Sequence, residues 1–334
     1  MIRNAWIIGE RGLLGAAVSR ALRQRPDRFV VRGDASIRVP WDDTSAAHVL
    51  LEALGRRFFT QCGREPWSIF WCAGAGVVGA SEDDLSNERS LLHHLLEVVG
   101  ERSIPGTSGF FFLASSAGGL YAGCKDSLIS EDSIPSPISA YGRSKLVQER
   151  MVEDGISAES GILTLTGRLS TLYGPGQNIH KPQGLISQLT RSVVLGYPAN
   201  VFVPLETRRD FHYADDCAAE IVETASRLVA DPDRLCPDRR VTKIFASERE
   251  TSIAEIIAIL RKISKRPVRI VVAPSSVSRQ HANAQPFRSR VPPFANPGAR
   301  TPIREGIHRV LLKLHALLQE GALDAPKGMP LLTR

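Results

Sequence analysis

The chain has 334 residues, of which 43% are hydrophobic and 23% charged, an ordinary composition for a folded protein with a sizeable core. Its net charge of +7 comes from scattered arginines without interleaved aromatic residues. The sequence therefore predicts no nucleic-acid surface, and the charge suits anionic small molecules, with a solvated face as the alternative. Five cysteines without Cys-x-x-Cys spacing signal neither a disulfide framework nor a metal site, and they fit a reducing cytoplasm.

Apolar runs and helical patterns alternate along the first half of the chain, which predicts an α/β fold with a doubly wound parallel sheet. Strands are predicted at 5–8, 29–31, 68–72, 109–114 and 162–165, with a further strand presumed before Asp42. Helices are predicted after the first strand and at 46–57, 86–99, 215–230 and 303–319. No segment is long enough to cross a membrane or to serve as a signal peptide.

The regular alternation ends near Tyr173, which predicts two parts of the chain. Residues 1–172 would form a dinucleotide-binding Rossmann domain that also receives the 210–246 segment. Residues 173–334 would form a smaller substrate-binding α/β lobe, interleaved with the first part and rich in loops at 231–237 and 274–302.

A glycine motif follows the first predicted strand and opens a helix. Gly9, Gly12 and Gly15 are spaced as GxxGxxG, so bare backbone N–H groups and the helix dipole would meet a pyrophosphate. A glycine turn without a ligand is the alternative. The motif predicts a dinucleotide site that includes Arg11, Leu13 and Leu14.

The end of the second strand decides which dinucleotide is preferred. Arg32 stands at or beside the deciding position, and Arg11 in the glycine loop could join it in clamping a ribose phosphate. NADP(H) is therefore favoured over NAD(H), although a small shift of register would make Asp34 a ligand of an unmodified ribose. Asp42 or the neighbouring Asp43 could contact the adenine.

Tyr141 and Lys145 lie four residues apart on a predicted helix and therefore share one face. A free tyrosine has a pKa of about 10, and a nearby ammonium favours the ionised phenol. The pair is a candidate acid/base, and together with the glycines it predicts an oxidoreductase.

Five motifs occur in the order typical of the extended short-chain dehydrogenase/reductases, and more narrowly the chain resembles their NAD-dependent epimerase/dehydratase group, which acts on nucleotide sugars. The motifs are Gly9-x-x-Gly12-x-x-Gly15, Ser115-Ser116, Tyr141-x-x-x-Lys145, Tyr173-Gly-Pro-Gly-Gln177 and the segment Arg209 to Asp216. The resemblance covers the chain from Ala5 to about Leu312. It implies a Rossmann domain with a smaller substrate lobe and a homodimer.

The resemblance also implies roles for individual residues. Tyr141 would exchange the proton of the sugar hydroxyl, and Lys145 would lower the pKa of Tyr141 and hold the nicotinamide ribose. Ser116 would hydrogen-bond the reacting oxygen, because counting back from Tyr141 places it at that position, whereas counting back from Tyr121 places Ala117 there. Ser115 is the fallback. Further cofactor contacts are expected from Ala73, Gly74, Ala75 and Arg168.

In the substrate lobe the resemblance implies contacts to a nucleotide sugar, with one departure. Thr171 stands where relatives usually have an asparagine that contacts the substrate pyrophosphate. The other candidates are Gln177, Asn178, Arg208 and Arg209; an internal ion pair with Asp210 is the alternative for Arg209.

The reaction type follows from what lies beside the serine site. Ala117-Gly118-Gly119 replaces the Asp-Glu pair that a dehydratase of this group carries, so dehydration is not expected. Reduction of a keto-sugar or epimerisation through a transient ketone remains, and the NADP(H) preference favours reduction. The alternatives are the same chemistry on a non-nucleotide ketone or alcohol, and a catalytically silent NAD(P)-binding regulator.

Overall fold

A computed structural model describes residues 3–32, 37–74, 80–179, 184–272, 284–291 and 300–323. The strands are β1 Arg3–Ile8, β2 Phe29–Val31, β3 Trp67–Trp71, β4 Gly109–Ser116, β5 Leu163–Leu169, β6 Thr171–Tyr173, β7 Ala199–Val201, β8 Arg208–Tyr213, β9 Arg240–Phe245, β10 Glu250–Ser252 and β11 Ile270–Val272. The α-helices are α1 Leu13–Arg23, α2 Thr44–Cys62, α3 Glu82–Arg102, α4 Ala117–Leu120, α5 Ala140–Gly155, α6 Leu185–Leu195, α7 Ala214–Ala230, α8 Pro232–Leu235, α9 Ile253–Ser264 and α10 Ile303–Gln319.

The main sheet is parallel and has six strands in the order β2-β1-β3-β4-β5-β9. Every residue of β3 and β5 is buried, as expected for strands covered on both faces. On one face α1 and α7 pack over Phe70 and Phe112, and on the other α2 and α3 pack over Trp71 and Phe111. This arrangement confirms the predicted doubly wound α/β fold.

A second group of elements has its own apolar core. It contains the three-stranded sheet β10-β8-β6, the two-stranded sheet β11-β7, and the helices α6, α9 and α10. Ile186, Ile256 and Ile307, one from each of these helices, are buried together in this core. The predicted bounds of the last helix, 303–319, agree with those of α10.

The structure differs from the prediction in two places after β2: in residues 37–43 and at the start of α2. No strand forms within the described residues 37–43, so the strand presumed before Asp42 was wrong there. Pro40 has no N–H to donate to a ladder, and its carbonyl instead accepts a turn hydrogen bond from Asp43 N at 2.9 Å. Helix α2 begins earlier than predicted because the Asp43 carboxylate caps it, accepting from Ala46 N at 3.0 Å.

Among the helices that can be described, none is both long enough and apolar enough to pass through a bilayer.

Candidate active site

The glycine motif forms a tight turn between β1 and α1. Gly9 has a φ of 87°, and a Cβ atom there would lie 2.7 Å from Ala73 N. A Cβ atom at Gly15 would lie 2.1 Å from Gly9 O, so neither position tolerates a side chain. Gly12 is the N-cap residue of α1 and supplies no side-chain cap, which leaves backbone N–H groups at the helix start for an anion.

A cavity of about 640 Å³ lies beside this turn, at the carboxyl end of β1. Its lining includes four residues expected at the dinucleotide site: Gly9, Arg11, Arg32 and Asp42. Arg32 is exposed, and its Nε donates to Asn4 Oδ1 at 2.7 Å, which orients the guanidinium. The competing carboxylate, Asp34, lies outside the described residues.

Two further arginines, Arg38 and Arg57, line the same cavity, although the sequence motifs did not single them out. Arg38 follows the second strand by several residues, and Arg57 comes from α2, so their convergence depends on how α2 packs. Four arginines and two carboxylates therefore line the cavity, and its net charge favours an anionic group.

The segment after β3 lies against the presumed catalytic residues. A Cβ atom at Gly74 would be 3.3 Å from Glu88 Oε1 and 3.6 Å from Lys145 Nζ. Ala73 is buried and touches the glycine turn at Gly9. Ala75 lies outside the described residues.

Tyr141 is in the first turn of α5, where the Ser139 hydroxyl caps the helix by accepting from Gly142 N at 3.0 Å. The Tyr141 ring packs on Gly119: a Cβ atom there would lie 3.1 Å from Tyr141 Cε1. Lys145 Nζ lies 6.0 Å from the centroid of the Tyr141 ring, so the predicted helical spacing does bring the two side chains together.

The Lys145 ammonium is buried and makes three hydrogen bonds. It donates to Glu88 Oε1 at 2.8 Å, to Gln148 Oε1 at 3.0 Å and to Ala114 O at 3.3 Å. Burial by itself lowers the pKa of Lys145, but the charges of Glu88 and then Tyr141 outweigh it and raise the pKa above its ordinary value. Lys145 is therefore a permanent cation at neutral pH.

The two candidate serines have different surroundings. Ser116 is half-buried, and its Oγ accepts from Gly119 N at 3.1 Å, which caps the short helix α4. Ser115 is buried, and its Oγ donates to Glu149 Oε1 at 2.5 Å. Ser116 therefore belongs to the segment that carries Gly119 and the Tyr141 contact, whereas Ser115 belongs to the protein interior.

Arg168 occupies a buried ion pair, a different role from the expected cofactor contact. It is 8% exposed and donates to both oxygens of Glu149, at 2.7 Å for the shortest bond, and to the Tyr121 hydroxyl. Burial lowers the pKa of Arg168, but hydrogen bonding and charge from Glu149 outweigh it, so the pKa is raised. These partners explain how the guanidinium is tolerated inside the protein.

Three of the expected substrate contacts are on or near β6. Thr171 is exposed on this strand, and Asn178 is exposed in the turn that follows it. Gln177 is half-buried, and its Oε1 accepts from Ser187 Oγ at 2.8 Å. Leu13 connects this segment with the glycine turn, since a Cβ atom at Gly174 would lie 3.5 Å from Leu13 Cδ1.

The two expected arginines are on β8. Arg208 is exposed and lies 3.7 Å from the Glu255 carboxylate, and half-buried Arg209 donates to Arg208 O at 2.9 Å. Asp210 accepts from Ser170 Oγ at 2.6 Å and from Ser247 N at 2.8 Å. Hydroxyl and backbone groups thus satisfy Asp210, rather than the alternative ion pair with Arg209.

Sequence reasoning missed Glu88 and Glu149, although each carried a signal. Glu88 lies three residues after Leu85 and four before Leu92, so it is a carboxylate on the apolar stripe of α3. Glu149 follows Lys145 by four residues on the same face of α5.

Across the described part of the chain no cluster of His, Cys, Asp and Glu could hold a metal ion.

Known proteins resemble the chain in sequence and in fold. It is 25% identical over 229 residues to the uncharacterized UDP-glucose epimerase YtcB of Bacillus subtilis, a match that covers 68% of this chain and 66% of YtcB. It superimposes on MoeE5, solved with UDP-glucuronic acid and NAD, at a TM-score of 0.75 and 19% identity, covering 94% and 99% of the two chains. For RMD from Pseudomonas aeruginosa, solved with NADPH, the TM-score is 0.71, the identity 20%, and the coverage 94% and 99%.

At these identities the superpositions establish a shared fold, the Rossmann-like sheet described above. The family relationship comes from the sequence: residues 5–233 match one family along more than half of the chain. The chain belongs to the NAD dependent epimerase/dehydratase family.

Proposed function

We propose that this protein is an NADP(H)-preferring oxidoreductase that reduces the ketone of a nucleotide-activated sugar, with epimerisation through a transient ketone as the alternative outcome of the same chemistry. The observation that carries the proposal is the placement of Tyr141 beside the Lys145 ammonium, next to the segment that follows β3. Family membership supports a nicotinamide-dependent enzyme.

The glycine turn fits a dinucleotide. Its backbone has no room for a Cβ atom at Gly9 or Gly15, and α1 begins with open N–H groups that suit a pyrophosphate. The phosphates of the dinucleotide would be held by Gly12, Leu13 and Arg11. Its nicotinamide end would face Gly74 and Lys145. A nicotinamide bound there supplies or accepts the hydride.

Tyr141 would move the proton. In the reducing direction its hydroxyl donates to the oxygen of the ketone, and in the oxidising direction the phenolate accepts the proton of the alcohol. The Lys145 ammonium stabilises the phenolate, and Ser116 would hydrogen-bond the reacting oxygen. Gly118 and Gly119 carry no carboxylate, so these positions beside Tyr141 supply no base to remove a proton for the elimination of water.

The preference for NADP(H) rests on the charge of the cavity beside the glycine turn. Arg11, Arg32, Arg38 and Arg57 line it, and a ribose phosphate would form charge-assisted hydrogen bonds with such guanidinium groups. A cofactor that is released after each turnover suits reduction, whereas an epimerase retains its cofactor. The NADP(H) preference therefore favours the reductase.

The cofactor preference is tested by titrating the protein with NADPH and NADH. Arg32→Gln and Arg38→Gln should each raise the Kd for NADPH about tenfold or more, the loss of one charge-assisted contact, and leave the Kd for NADH nearly unchanged. Arg28→Gln is the matched control, because Arg28 precedes β2 at the opposite end of the strand. Tighter binding of NADH than NADPH by the unmodified protein would refute the preference.

The substrate would be held by the second group of elements. Hydroxyl, amide and guanidinium donors suit a diphosphate and a sugar. Such donors are supplied by Thr171, Gln177, Asn178, Arg208 and Arg209. YtcB and MoeE5 are associated by name with UDP-glucose and UDP-glucuronic acid, and these similarities support a nucleotide sugar here.

We likewise propose the division into a dinucleotide-binding part, 1–172 with 210–246, and a substrate lobe, 173–334.

The activity is tested by incubating the protein with UDP-, GDP- and dTDP-linked sugars and their 4-keto forms, while nicotinamide absorbance and product stereochemistry are followed. Stoichiometric consumption of NADPH supports reduction, and inversion without net consumption supports epimerisation. Turnover of simple ketones alone would move the substrate to the non-nucleotide class. Cofactor binding without any turnover would favour the silent regulator.

Two further properties belong to the proposal. A homodimer is proposed and is testable by light scattering of the purified protein. A cytoplasmic location is proposed because all five cysteines are free, which suits a reducing compartment.

A further inference from the structure

A buried carboxylate from another helix holds the Lys145 ammonium. Glu88 Oε1, on α3, accepts from Lys145 Nζ at 2.8 Å, and each of the two side chains is only 6% exposed. Gln148 closes the cluster, since its Nε2 donates to Glu88 Oε1 at 2.9 Å and its Oε1 accepts from Lys145 at 3.0 Å. Charge and geometry at Lys145 therefore depend on α3 as well as on α5.

We propose that Glu88 is a positioning residue: it fixes the Lys145 ammonium in place and reduces the electrostatic effect of that ammonium on the Tyr141 hydroxyl. The inference rests on the proposed function, because it concerns the acid/base pair of the same site. It adds a residue that no part of the Tyr-x-x-x-Lys motif predicts.

The first part of the argument concerns position. Lys145 has a long side chain with several rotamers, and its three N–H groups each find an acceptor: Glu88, Gln148 and the carbonyl of Ala114. Immobilising such a chain costs conformational entropy, which these three hydrogen bonds offset. Loss of Glu88 would leave a buried cation with neutral acceptors only.

The second part concerns charge. The Glu88 carboxylate is 2.8 Å from the ammonium, whereas the ammonium is 6.0 Å from the centre of the Tyr141 ring. At these separations a bound anion cancels part of the positive potential that the phenol experiences. With Glu88 present, the Tyr141 phenolate is therefore less favoured than it would be beside an unpaired Lys145.

The other charged groups around the cluster are already paired. On α3, Arg89 bonds to Glu82 at 2.7 Å and to the Ser144 hydroxyl at 3.0 Å. On α5, Glu149 pairs with Arg168 of β5. Each of these charges has a partner of opposite sign, which reduces its effect on Tyr141, so a change at Glu88 is expected to dominate the response.

The test follows ionisation of Tyr141 by the near-ultraviolet absorbance of tyrosinate during a pH titration, in the full chain without cofactor. Burial raises the pKa of each of the other four tyrosines, Tyr121, Tyr173, Tyr197 and Tyr213. Their ionisation is therefore displaced to higher pH than that of an exposed tyrosine, and subtraction of the Tyr141→Phe titration isolates the step that belongs to Tyr141. The measurement requires no substrate, so it is independent of whether the proposed reaction occurs.

In Glu88→Gln the Tyr141 step should move to lower pH by about one unit, the size expected for removing a nearby like charge. Glu97→Gln, an exposed carboxylate two turns further along the same helix, is the matched control and should leave the step in place. If Glu88→Gln does not fold, Glu88→Asn removes the same charge with one methylene less and is read in the same way. An unmoved step, or one moved to higher pH, overturns the proposal, even where the thermal stability falls.

Discussion

Gly119 and Gly142 bring helices α4 and α5 into backbone contact. A Cβ atom at Gly142 would lie 2.3 Å from Gly119 O, and a Cβ atom at Gly119 would lie 3.1 Å from the Tyr141 ring. The missing side chains let the first turn of α5 approach the segment after β4. The depth of Tyr141 in the site is thus set by two glycines that carry no chemistry themselves.

Gly142→Ala should separate the two helices. We expect a loss of about 1–3 kcal/mol in the free energy of unfolding, because the contacted atom is a backbone oxygen that cannot swing away, together with a lower kcat. Gly100→Ala is the control, since nothing lies within 4 Å of its Cβ position in the last turn of α3. That variant should gain roughly 0.5–1 kcal/mol. Equal stability of the two variants in urea unfolding would contradict this account.

Tyr141→Phe should lower kcat/KM about 10²–10⁴-fold, the usual contribution of one positioned acid/base, while the Kd for the cofactor changes little. In the unmodified protein, the rate of alcohol oxidation should rise with pH as the phenol ionises, and this rise should vanish in the variant. Tyr197→Phe, which changes a buried tyrosine just after α6, is the control and should keep the pH dependence. Full activity of Tyr141→Phe would remove this residue from the mechanism.

The two serines should respond differently to alanine. Ser116→Ala should reduce kcat/KM by about one to two orders of magnitude if its hydroxyl supports the reacting oxygen, and loss of the α4 cap should cost about 0.5–2 kcal/mol. Ser115→Ala should leave kcat nearly unchanged and lower stability by about 1 kcal/mol, because Glu149 loses a donor. Unchanged turnover of folded Ser116→Ala would assign the role elsewhere.

Arg168→Met should strand the buried Glu149 carboxylate and reduce the free energy of unfolding by about 3–5 kcal/mol. Adding Glu149→Leu should recover much of that loss, since removing both charges is far cheaper than removing one. Arg56→Met is the control: its pair with Glu52 is exposed, and such pairs contribute about 0.3–0.5 kcal/mol. Urea unfolding of the four proteins measures the difference.

His212 should make stability depend on pH. Burial and then the charge of Arg300 lower its pKa from 6.5 to about 3. Between these two values the unfolded chain binds a proton that the folded protein refuses, so the free energy of unfolding rises with pH by up to about 1.4 kcal/mol per unit and levels off above 6.5.

The slope of unfolding free energy against pH, measured between about pH 5 and about pH 6, should therefore fall by nearly one proton in His212→Leu. His93→Leu, on the exposed face of α3, should keep the slope of the unmodified protein. The slope is the quantity compared, so a change in overall stability caused by the leucine does not disturb the test.

Local pattern was sufficient for much of the fold and for part of the site. The 3.6-residue spacing defined α10 and placed Tyr141 and Lys145 on one helical face, since both depend on neighbours within a few residues along the chain. The glycine motif predicted the junction between the first strand and its helix, and in the structure Gly9 has a positive φ there, a conformation that glycine adopts readily. The strand presumed before Asp42 failed where a proline lacks the donor that a ladder needs.

The sequence by itself determined five of the six strands of the main sheet, most of the helices that cover this sheet, and the placement of Tyr141 and Lys145 on one helical face. Only the tertiary structure decided that Glu88 holds Lys145, that Arg168 is bound by Glu149, and that Arg38 joins Arg32 at one cavity. The first two contacts join residues 57 and 19 positions apart, and all three require helices and strands to be packed first. Electrostatic environment depends on distance in space, which periodicity along the chain does not encode.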